Sequence, residues 1–183
     1  MTSDHYPRLN DLPITDSKNA LHAYAGILGG WLKKCQAKRK HWWHASLHPS
    51  LNGLTTGVVH AEIDFEIELN LRESLLQCRT TTGKQLSEEL RGQSAAELAG
   101  SIEQFLIANG LAKASVPKIP TTAQDTTAYT EYSPQQILII AQVLNSVAAT
   151  MNRFSGAVLL YKTLIEDNQN PDDYLLKLWR SLL

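Results

Sequence analysis

The run Glu62-Ile63-Asp64-Phe65-Glu66-Ile67-Glu68-Leu69 alternates acid and apolar residues without a fault. A period of two sets the acids on one face and the apolar side chains on the other, as in a strand with one buried face. A strand cannot stand alone, and the flanking segments supply partners. Leu54 to Val59 reads as the strand before it, and Leu75 to Thr81 as the strand after. Thr82-Gly83 is a hairpin signal leading to a short strand at Lys84 to Leu86. His41 to His48 also shows period two, with Trp43, Ala45 and Leu47 opposite Trp42, His44, Ser46 and His48, and is read as the first strand.

Helical spacing surrounds this meander. Leu21, Tyr24, Leu28, Trp31, Leu32 and Cys35 place a helix over about 17–38, interrupted by Gly29-Gly30. Ser94 caps a second helix from Ala95 to Asn109, and Gly110 supplies its stop. Ser133-Pro134 opens a third in the preferred order of cap and first-turn proline. After Asn152 a further helix is expected from Phe154 to about Asp167, and a last one from Asn170 to Leu183. The fold class is therefore α+β: an antiparallel meander of four to five strands flanked by helices, plus a C-terminal helical segment. The expected organisation is a core domain over 1–112, a Thr/Ala/Pro-rich linker over 113–132 and helices over 133–183.

The 183 residues suffice for one ordinary core, and 43% apolar with 19% charged residues describes a globular chain. Lys plus Arg is 17 and Asp plus Glu is 18, which gives no general support for nucleic-acid binding. The basic run Lys33 to Lys40 before Trp42-Trp43 fits better as cations completing the end of a helix. Met1 to Leu12 has no apolar signal-peptide core, and the longest uninterrupted apolar run, Ile137 to Ala141, is short. A cytoplasmic protein without a membrane span is expected.

No metal, cofactor or catalytic residue is assigned. Cys35 and Cys78 form no close pair, and no HxH or HExxH is present. On a strand His44 and His48 would stand roughly 13 Å apart, too far to chelate one ion. GxSxG, P-loop and GxGxxG motifs are absent. Cys35 can meet a histidine only through the fold. The four acids of the opening strand read as a solvated face with Arg79 and Lys84 as cross-strand cations.

His41-Trp42-Trp43-His44, Gly53-Leu54-Thr55-Thr56 and Phe65-Glu66-Ile67-Glu68 together resemble the signature of an uncharacterised bacterial family, the domain of unknown function 5996. The likeness takes in Leu21-His22 upstream, and downstream a helix like 95–109 and a segment like Tyr132 to Phe154. It covers about residues 15–155. Relatives in that family run on into a further aromatic-rich region, so the resemblance implies a chain shortened at its C-terminus. It implies no established activity.

Two readings of function follow. The leading one is a non-enzymatic binding or assembly protein that meets a protein partner, or another copy of itself, through the apolar helices of 133–183. The alternative is a small-ligand binder or enzyme. If the first helix covers the face of the sheet that carries them, His22, Trp42, His44 and Thr55 can line a pocket with an apolar wall and a few polar groups.

Overall fold

A computed structural model describes residues 15–118 and 126–166, the side chains of 41–43 and 156–166 excepted. The expected helix from Asn170 lies outside the described residues, as does part of the expected linker. The fold is α+β. Helix α1 (Thr15–Cys35) precedes five strands, β1 (His48–Pro49), β2 (Gly53–Val59), β3 (Phe65–Asn70), β4 (Leu75–Thr80) and β5 (Gln85–Glu89). Helices α2 (Ala95–Ala108) and α3 (Pro134–Glu166) follow. The strands form one antiparallel sheet in the order β1-β2-β3-β4-β5. By compactness the chain divides into residues 1–144 and 145–183, and α3 runs from the first unit into the second.

The alternation in β3 does what its pattern requires. Phe65, Ile67 and Leu69 are fully buried on the face that α1 covers, where Trp31 meets Phe65 edge-on with ring centroids 5.5 Å apart. The strand begins at Phe65, so Glu62 and Asp64 belong to the preceding loop and not to the ladder. The Asp64 carbonyl accepts from the Thr81 N–H. At α2 the Ser94 cap is reciprocal: its hydroxyl accepts from the Glu97 N–H, and the Glu97 carboxylate accepts from the Ser94 N–H. Such a box satisfies two donors that a helix start leaves open.

Two expected elements are corrected. Residues 40–45 form a short 3-10 helix (Lys40–Ala45), not a strand, and only His48–Pro49 pairs with β2. Alternation there sets Trp42 against Trp43, so neither face is clearly the wet one and nothing selects a strand. The turn is closed by the Arg39 N–H, which donates to Nδ1 of His44 at 3.2 Å. The break expected after Asn152 is also absent, because α3 is one helix of 33 residues. Asn and Arg cost only a few tenths of a kcal/mol in a helix interior, and no proline follows them.

The start of α3 is fixed to the core. The buried Ser17 hydroxyl donates to Oε1 of Gln136 at 2.7 Å and accepts from the Ser133 N–H at 2.9 Å. Ile137 and Ala141 are buried in the same core as α1 and the sheet. Before α3, the Tyr129 N–H donates to the Gly92 carbonyl at 2.7 Å, and the Tyr129 ring meets Tyr24 edge-on. Both sheet edges are modified. β1 is two residues long and ends in Pro49. On β5, Glu88 sits opposite the buried Leu76, on the core side, with Oε2 enclosed and without a hydrogen-bond partner.

Candidate functional site

Of the four residues expected to converge, the three whose side chains are described lie in separate settings. His22 is exposed on α1. Thr55 pairs with Glu68, so it stands on the sheet face away from α1, and the sheet lies between it and His22. Its hydroxyl donates to Oε1 of Glu66 at 2.6 Å and accepts from the Gly57 N–H at 3.0 Å. His44 is buried in the 3-10 turn. The side chain of Trp42 lies outside the described residues.

The outer face of the sheet is a partnered polar network and not a bare acidic ladder. Glu68 is 6% exposed. Its carboxylate accepts from the Ser50 hydroxyl at 2.7 Å and from Nη2 of Arg79 at 3.3 Å, and Arg79 also reaches Oε1 of Gln77 at 2.6 Å. Arg79 is thus a cross-strand cation as expected, though it serves a buried carboxylate. A buried charge held by one cation and one hydroxyl is a structural arrangement in which removing either partner strands the other.

Sequence reasoning could not place the open depression of about 400 Å³ lined by Lys34, Cys35, His60, Ala61, Glu62 and Ser115. These residues come from the end of α1, the β2–β3 loop and the 3-10 turn Lys113–Ser115. A cysteine and a histidine line the same depression here, but the cysteine is not primed. Burial pushes the Cys35 thiol up, the Glu62 charge pushes it further, and Lys34 opposes them only in part. A nucleophilic cysteine needs the opposite environment, one that favours the thiolate. Glu62 is occupied too: the Ser115 hydroxyl donates to it at 2.6 Å and holds its carboxyl below the ordinary range. Nδ1 of His60 lies 3.2 Å from Asp64. Among the described residues no group of three His, Cys, Asp or Glu side chains is placed to hold a metal.

The strongest surface feature lies on α3. Val147, Met151 and Phe154 are 54%, 62% and 66% exposed, and their four-then-three spacing lines them up on one stripe. The stripe continues the half-buried Ile140 and Leu144, which pack against the core. In sequence the same alternation of three and four runs on through Val158, Tyr161 and Ile165. This register is the signal that a helix broken at Asn152 conceals. Asn152 and Arg153 fall between stripe positions, where polar residues are at home.

A family model described as a family of unknown function, DUF5996, matches residues 6–164. No curated protein and no solved structure matches the chain.

Proposed function

The chain belongs to the family of unknown function DUF5996, and from that membership, which carries no activity, we propose that it is a non-enzymatic assembly protein that binds a protein surface through the apolar stripe of α3. One observation carries the reading: three large apolar side chains in register, each more than half exposed, on a helix whose start is fixed to the core. A contiguous apolar stripe left in water is costly and marks a contact surface. The unprimed Cys35 thiol and the occupied Glu62 carboxylate favour binding over catalysis in the depression beside α1.

The stretch Pro134–Ser155 is also long and apolar enough to cross a membrane, by length and composition alone. Its pattern favours protein contact. Gln142, Asn145, Asn152 and Arg153 would enter hydrocarbon in a span, while Ile137 and Ala141 are already buried in the core.

A photo-crosslinking side chain placed at Met151 tests the reading in living cells, with the same group at exposed Ala149, off the stripe, as the control. Discrete protein adducts at 151 and none at 149 are expected. Adducts to lipid alone, or equal labelling at both positions, would refute it.

A further inference from the structure

Resting on that reading of α3, we infer that the surface covering the stripe is a second copy of α3 from another molecule of this chain, the two helices pairing as a coiled coil. Apolar residues at alternating intervals of three and four make a seam that stays on one side of a helix only when the helix winds around a partner of the same kind. From Val147 to Ile165, beyond the residues that pack on the core, the alternation has no fault over 19 residues, about 28 Å of the helix. A seam of nearly three heptads is long enough for pairing, where a single turn would not be.

The flanks of the seam identify the partner. In coiled coils the positions beside the seam select partners by charge, and different chains are brought together by complementary signs. Here those positions between 147 and 157 are Ala148, Thr150, Ser155 and Ala157, none of them charged, and beyond them only Lys162 carries charge beside the seam. Across the whole of α3 only Arg153, Lys162 and Glu166 carry charge, and Arg153 lies away from the seam. An acidic or basic partner finds nothing to answer it, whereas a second copy meets no like charge along this stretch. Small residues on both flanks also let two such helices approach closely. A buried polar residue at a seam position would enforce one register at a cost in stability, and this seam carries none before Tyr161.

The test uses the full chain in solution. Light scattering should give a mass near twice the 20.3 kDa of one chain at micromolar concentration, falling toward one chain on dilution. Substituting Met151→Glu and Phe154→Glu together sets like charges across the seam and should weaken pairing by about a hundredfold or more. Helix content by circular dichroism should hold, because both side chains are exposed in the single chain. Met151→Leu should retain the pair. A single-chain mass at high micromolar concentration overturns the inference, and so does a pair that the double glutamate variant leaves intact. If the crosslinker at Met151 joins the chain to a different protein while the purified chain stays single, this inference fails and the assembly reading survives. Flotation of the chain with lipid vesicles, abolished by the double variant, would overturn both.

Discussion

Gly92 joins the core to the segment that leads into α3, and one added methyl group there should unfasten it. Its φ is +86°, a region that costs an L residue about 1 kcal/mol. A Cβ at this position would stand 2.4 Å from the Tyr129 carbonyl oxygen and 2.6 Å from Cβ of Tyr132. Neither is the movable end of a side chain, so the segment carrying both tyrosines must retreat. Retreat breaks the Tyr129 N–H to Gly92 carbonyl bond, worth about 1 kcal/mol, and uncovers two half-buried rings. Gly92→Ala should therefore destabilise by about 3 kcal/mol or more, a large part of the stability of an ordinary domain. Two other glycines separate the contributions. Gly83 has φ +81° with nothing within 4 Å, so Gly83→Ala should cost about 1 kcal/mol from conformation alone. Gly100 lies inside α2 with nothing within 4 Å, so Gly100→Ala should stabilise by about 0.5–1 kcal/mol. Urea unfolding followed by tryptophan fluorescence, at one fixed protein concentration, reads all three. The Gly92→Ala midpoint should drop by about 1 M or more. If Gly92→Ala costs no more than Gly83→Ala, the clamp has been misjudged.

Three further outcomes are expected. Tyr24→Phe removes the donor of a buried 2.6 Å bond to the Gln93 carbonyl and should cost about 1–3 kcal/mol in the same unfolding assay. Alkylation of Cys35, followed by mass spectrometry of its peptide, should be slow at pH 8, faster in Glu62→Gln and slower in Lys34→Ala, since Glu62 raises the thiol and Lys34 lowers it. Cys78 should stay silent throughout, because burial pushes it up to about 12. Ser115→Ala should raise the Glu62 carboxyl toward its ordinary value in an NMR titration. The stability lost with that hydrogen bond belongs to the ionised carboxylate, so it is present above the ordinary pKa and vanishes as pH falls through the depressed folded value.

What the sequence reveals and what it hides follow from the range of the interactions. Phe65, Ile67 and Leu69 announce a strand because alternation is local and one-sided. Ser94 with Glu97, and Ser133 with Pro134, announce helix starts because a cap lies within one turn of what it satisfies. The turn over 40–45 is hidden because apolar residues fall on both sides of the alternation, and the hydrogen bond that closes it could not be inferred from spacing. The continuity of α3 is hidden by a polar pair that only a heptad register shows to be harmless. The separation of His22 from Thr55 depends on which sheet face α1 covers, a choice made by Trp31 against Phe65 and not by any motif. Cys35, His60 and Ser115 come to line one depression only through the chain's path, and no local pattern encodes that arrangement.

The two altered edges of the sheet bear on how large an assembly can grow. A free strand edge propagates: each added copy offers another edge, and the result is an open fibre. Here one edge is two residues long and ends in a residue with no N–H, and the other holds a carboxylate on the side where a sixth strand would need apolar contact. Growth by strand addition is discouraged at both ends. A helical seam that two copies share is used up by the pairing itself, and such an interface closes once made. Association through α3 in place of the sheet would therefore stop at a finite particle.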